Sequence, residues 1–246
     1  MKHWILAALL AVNAQAQAWT ADELVAKHLE ARGGQAALHA VNSVRMTGRY
    51  DPASGQDMRI ANLNTRSGKL RSEFSLQGMT AVTAYDGKSA WQIQPFGGRK
   101  DPFRMSEEDA QEQADSADLD GPLVDYQAKG HRLEYLGTED VDGTGAHKLK
   151  LTRKNGSVVI YFLDPDYFLT IREHRQRMVR GVLQESETEL GEYEKVAGLM
   201  LPFSYAFGAP GSAQKTPLVV EQWEFNVPAD DGVFRFPLAA PATQKK

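Results

Sequence analysis

The stretch MTAVTAYDGKSAWQIQPF, residues 79–96, makes the first structural decision. Met79–Tyr85 and Ser89–Gln94 are short runs of strand-forming residues around Asp86-Gly87. That dipeptide between apolar-patterned runs signals a tight hairpin, because a primed turn needs positive φ, which glycine gives freely and aspartate tolerates. In the second strand Trp91 and Ile93 share a face, and Pro95-Phe96-Gly97-Gly98 ends it. A large aromatic past the turn and another at the strand exit suit either a packed core or the wall of a ligand cavity.

The same period of two extends toward the N-terminus through Ser43–Tyr50, Asp57–Thr65 and Lys69–Gln77, separated by short turn-forming segments. Short connectors mean antiparallel neighbours and hence a meander. In the last of these strands Leu70, Phe74 and Leu76 share one parity, while Lys69, Arg71, Glu73 and Gln77 take the other. One face is dry and one wet, as in a half-covered sheet. Before the meander, Thr20 caps a helix from Ala21 to about Ala31 with Leu24, Val25 and Leu29 on one face, and Gly33-Gly34 stops it. A second helical piece covers Gln35–Val41.

Beyond the hairpin, Lys100–Arg104 reads as a loop and Ser106–Asp118 as an acidic helix capped by Ser106. With almost no apolar face, that helix belongs on the surface as a lid or hinge. A second strand series follows at His131–Leu136, Ala146–Arg153, Ser157–Asp164, Phe168–Val179, Leu183–Tyr193, Leu199–Phe207 and Thr216–Asn226. Val158–Leu163 is apolar on both parities and predicts a buried strand. Arg172, Arg175, Arg177 and Arg180 are expected exposed or paired with Glu185, Glu187 and Glu189, as ordinary cross-strand partners, with an anion site as the alternative. Val233–Pro237 then packs onto the sheet. The fold class is α+β, mainly antiparallel β: an incomplete half-barrel of about eleven strands, with short helices covering its concave apolar face.

Residues 1–18 have the form of a secretory leader: Lys2, an apolar run at Ile5–Val12, and Ala16-Gln17-Ala18 as the cleavage site. The expected organisation is a cleaved signal peptide over 1–18, one domain over 19–238 and a polar tail over 239–246, in a periplasmic, soluble, monomeric protein. The sequence has no cysteine, which removes disulfides, thiolate metal sites, cysteine nucleophiles and a lipid-modified anchor. The formal net charge of −4, one unit more negative without Lys2, argues against nucleic acid and against adhesion to anionic lipid.

Motifs for catalysis fail on inspection. Gly87-Lys88-Ser89 suggests a phosphate loop, but Val82 stands where its first glycine belongs. No G-x-S-x-G elbow occurs, and the histidines never fall at H-x-x-x-H spacing. The Asp118–Gly121 and Asp140–Gly143 runs resemble calcium loops, but Gln127 and Leu149 replace the bidentate glutamate. A non-enzyme without metal or cofactor is the expectation.

Asp86-Gly87-Lys88-x-x-Trp91-x-x-x-Pro95-Phe96, after a helix and a meander, resembles the periplasmic lipoprotein carrier (LolA-like) family. Phe74–Thr80, Asp120–Tyr126 and Gly198–Pro202 are similar to its broader branch of outer-membrane lipoprotein-sorting proteins. The resemblance spans essentially the whole chain after the leader. It implies a half-barrel closed by helices whose hydrophobic cavity accepts acyl chains of lipoproteins or other lipids and carries them between envelope membranes, without chemistry. The implied partners are those acyl chains and transient inner- and outer-membrane proteins. The expected cavity residues are Phe74, Leu76, Met79, Trp91, Ile93 and Phe96, with Leu119, Leu123 and Tyr126 from the lid. An envelope sensor or adaptor of the same fold, binding a membrane protein, is the alternative. A hydrolase would need a cleft of convergent polar groups.

Overall fold

The computed structural model describes residues 19–237; residues 1–18, expected as a leader, and 238–246, with the expected polar tail, lie outside them. Thr20 caps α1 (Ala21–Ala31) with a capping box, its hydroxyl accepting the Glu23 N–H and the Glu23 carboxylate accepting the Thr20 N–H. The face of Leu24, Val25, His28 and Leu29 is buried. A short α2 (Gln35–His39) follows the Gly33-Gly34 turn. Gly33 has φ +116°, and a Cβ there would lie 2.5 Å from the Gly198 carbonyl oxygen. Only glycine lets the helical elbow sit so close to the sheet.

Among the described residues thirteen strands form one antiparallel sheet. The first meander runs β1 (Ser43–Tyr50), β2 (Met58–Thr65), β3 (Lys69–Leu76), β4 (Met79–Tyr85), β5 (Ala90–Gln94) and β6 (Arg99–Arg104). After α3 (Glu107–Ser116) comes the second: β7 (Arg132–Val141), β8 (Thr144–Thr152), β9 (Val158–Leu163), β10 (Thr170–Val179), β11 (Val182–Val196), β12 (Leu199–Gly208) and β13 (Thr216–Phe225). β13 pairs with β1 and joins the two meanders, leaving β6 and β7 as edges of an open half-barrel. Sheets this wide curl because every strand pair twists.

Twelve of these strands follow the sequence pattern; β6 does not. It was expected as a loop because Arg99-Lys100-Asp101-Pro102-Phe103-Arg104 is charged and holds a proline. It pairs with β5 alone. At an edge a proline can leave its ladder position without a donor, and charges protect the free side. The β4–β5 turn also differs in detail, since Gly87 takes φ 96° while Asp86 does not have positive φ. Asp86 acts through its carboxylate, which accepts the N–H groups of Lys88 and Ser89 at 2.9 and 2.8 Å.

The register settles which residues share a face. Cross-strand partners Val44↔Asn64, Asn64↔Leu70 and Leu70↔Tyr85 point one way, as do Ile60↔Phe74 and Leu76↔Met79. This is the inner face, carrying α1 and α2, whose Leu24, Leu29 and Leu38 pack with Leu149, Leu151, Val159 and Leu163. Burying each such side chain stabilises by roughly 1.5–3 kcal/mol. Arg71↔Ala84 and Ala84↔Trp91 point to the outer face. That face, expected wet around β3, is covered there: Lys69 pairs with Asp231, and Arg71 donates to the Val233 carbonyl at 2.8 Å. The C-terminal segment packs onto the sheet, as its apolar residues predict.

Candidate functional site

A cavity of about 500 Å³ opens on the inner face, under the α1–α2 elbow and the loop at residues 119–123. Its floor comes from β9 to β13 and β1, where Glu173 lies between Tyr161 and Thr188, Leu190 opposite Tyr205, and Val44 opposite Phe225. Leu38, Val41, Leu119 and Leu123 form much of its cover. The volume falls within the range of about 300–1,000 Å³ usual for small-molecule pockets.

Arg66, in the β2–β3 turn, holds the cover in place. Its guanidinium donates to the carbonyls of Leu38 at 2.8 Å and Val41 at 2.6 and 2.9 Å, and pairs with Asp120. One planar fork thus ties α2 and the 119–123 loop to the sheet. On the far side α3 crosses the inner face, and Asn64 of β2 donates to its Ser116 carbonyl at 2.8 Å. A second hollow of about 700 Å³ lies between α3 and β9–β11, lined chiefly by polar and charged groups, with Glu112, Arg175 and Ser186 bordering both.

The cavity floor is not uniformly apolar. Arg175 of β10 makes a two-point contact with Glu173, at 2.8 and 3.1 Å. Its side chain stays 51% accessible although protein rings it, because it stands in the lumen. The nearby Glu173 raises its pKa, outweighing the cost of burial. Burial raises the hydroxyl pKa of Tyr161, Tyr193 and Tyr205, which remain neutral donors. Tyr193 donates to the Thr170 carbonyl at 2.7 Å. His28 is pushed down to about 4 by burial first and Arg32 second, and its Nδ1–H donates to the Phe168 carbonyl at 2.8 Å.

Strand parity explains one departure from expectation. Arg172 lies on the outer face with Glu187, Glu189 and Lys215, an ion-pair cluster of the kind anticipated. Arg175 and Arg177 have the opposite parity and turn inward, to Glu173 and Glu112. Arg180, beyond the strand, pairs with Asp109. Counting charges along β10 without separating odd from even positions merges these two sets.

The nine expected cavity residues are divided by the structure. Leu119 and Leu123 line the cavity. Phe74, Leu76 and Met79 lie on the inner face beyond it, and an aromatic row connects them: Phe207 of the cavity wall meets Tyr50, Tyr50 meets Phe74, and Phe74 meets Phe96, with ring centroids 5.6–5.9 Å apart. Trp91 and Ile93 face outward. Trp91 is 1% exposed, its Nε1–H donates to the Phe234 carbonyl at 2.7 Å, and Phe236 packs edge-on against it. Its direct partner Ala84 stands across from Arg71, so strand geometry excludes it from the inner face. Tyr126 ties the loop to α1 through Asp22. Sequence reasoning missed Arg32, Glu173, Arg175, Tyr193 and Tyr205. For Glu173 and Arg175 the signal was the polar inward parity of β10, legible only once the bulge between Thr170 and Arg172 is known; Arg32, Tyr193 and Tyr205 reach the cavity through long-range packing that no local pattern marks.

An open antiparallel half-barrel with helices over a cavity on one face is a LolA-like fold. A LolA superfamily protein of Nitrosomonas europaea matches it with TM-score 0.55 and 16% identity, over 89% of this chain and 98% of that one. A domain from Vibrio parahaemolyticus described as an outer membrane lipoprotein-sorting protein gives TM-score 0.53 and 14% identity, over 86% and 94%. A DUF1329 family protein of Desulfovibrio piger gives 0.52 and 14%, over 88% and 97%. At these identities the likeness is one of fold. No protein-family model and no curated protein matches the sequence. Among the described residues no helix is long and apolar enough to cross a membrane.

Proposed function

We propose that this protein is a periplasmic carrier that binds the acyl chain of a lipid or lipoprotein in the inner-face cavity and moves it between envelope membranes, without catalysis. The observation that carries this reading is the covered inner-face cavity with Leu38, Val41, Leu123, Leu199, Leu201 and Phe225 in its wall. An acyl chain gains about 0.8 kcal/mol for each CH₂ taken from water, so a carrier needs a dry concavity more than a specific polar code. Residues 1–18 supply export on this reading. The similar structures described as LolA superfamily and lipoprotein-sorting proteins support it through their fold.

The test is uptake of fluorescent sixteen-carbon acyl probes, one a free acid and one an ester, by delipidated protein. Saturable binding of at least one probe at a single site is the expected result. Failure to bind any acyl probe would overturn the carrier reading.

A further inference from the structure

The charges around the cavity do not balance. Three carboxylates line it, and each has its own base: Glu173 pairs with Arg175 at 2.8 Å, Glu112 with Arg177 at 2.8 Å, and Asp120 with Arg66. His28 is uncharged at neutral pH. Arg32, the C-cap of α1, also lines the cavity and has no carboxylate partner among the described residues. Its backbone is held on both sides. The Arg32 N–H donates to the carbonyls of Glu30 and His28, and its own carbonyl accepts the Met200 N–H at 3.1 Å. The neighbouring Gly33 fits against Gly198 with no room for a side chain. The Arg32 guanidinium, carried on a held backbone and without an ion pair among the described residues, is therefore available to an anion that enters the cavity.

We propose that the cavity is built for an anionic amphiphile, whose carboxylate or phosphate head pairs with Arg32 while its chain lies along β12. This inference rests on the carrier reading and names the class of ligand. Arg32 sits beside Met200, at the start of β12, where the hydroxyls of Tyr193 and Tyr205 are near enough for its charge to oppose the effect of burial on both. From Met200 to Phe207 the strand runs seven residues, about 24 Å at roughly 3.4 Å per residue, enough for a long chain. Phe207 then passes contact to Tyr50 and Phe74. Head and tail thus have distinct ends, one charged and hydroxylated, the other aromatic.

The experiment compares a fluorescent hexadecanoic acid, its methyl ester and a monoacylglycerol phosphate at pH 8, with wild type, Arg32→Met and Arg32→Lys. Wild type should bind the acid about tenfold more tightly than the ester, as a charge-assisted pair requires. Arg32→Met should remove the difference in affinity between acid and ester, while Arg32→Lys keeps most of the preference. The phosphate arm shows which head is favoured. Wild type that binds neither the acid nor the phosphate more tightly than the ester overturns the inference, and needs no variant. So does a preference that survives Arg32→Met, or one lost equally in Arg32→Lys. If no probe binds at all, the carrier reading itself falls and takes this inference with it.

Discussion

Trp91 is a structural residue in an arresting sequence context. Its ring fills the outer face of β5 and its indole N–H fixes the Phe234 carbonyl. Trp91→Ala should cost about 3–5 kcal/mol in urea unfolding, the usual range for emptying a large buried aromatic. Acyl-probe affinity should be unchanged; a binding loss at normal stability would place the ring in the cavity instead. His28 makes a different prediction. Its folded pKa of about 4 lies below the unfolded 6.5, so between these values the unfolded chain binds more protons. The contribution is full above pH 6.5 and is lost as pH falls toward 4, by up to about 3 kcal/mol. His28→Gln should flatten the stability–pH curve across that window, and an unchanged slope would refute the assignment.

At the scale of elements, α3 has no buried residue, in keeping with its composition. Charge rather than apolar packing holds it across the inner face. Asp115 pairs with Arg153 at 2.8 Å where both side chains are mostly covered, Glu112 pairs with Arg177, and Glu108 accepts the Arg180 N–H at 2.6 Å. Asp115→Ala removes the best-shielded of these and leaves Arg153 without its carboxylate, a local loss of about 2 kcal/mol. Hydrogen exchange across residues 107–116 should accelerate while global unfolding changes little, because the rest of the sheet does not depend on α3. Unchanged exchange would mean that other contacts dock the helix. The acidic run was legible as a capped surface helix; its partners Arg153, just past β8, Arg177 on β10 and Arg180, just past β10, were not, since they lie some forty residues or more away in sequence.

For the whole molecule, local pattern determined nearly all of the secondary structure. The α1 bounds, the meanders, the turn at Asp86-Gly87 and the C-terminal apolar segment follow from period, caps and glycine placement, which act over a few residues. The half-barrel follows from strand count and twist. Only β6 escaped, because being an edge is a property of the whole sheet. The β1–β13 seam, with its bulge at Thr47/Gly48 and a Gly48 that leaves no space for a Cβ against Val219, belongs to the tertiary structure, since those strands are joined across most of the chain. So does the site. The sequence by itself determined that the strands of the first meander, such as β3 with Leu70, Phe74 and Leu76, carry their apolar residues on one parity. Which face meets the helices, and that Arg32 lines the cavity there without a counter-charge among the described residues while Trp91 turns away, depends on bulges and long-range register. A single-residue shift in register reverses every side chain, and no local pattern records it.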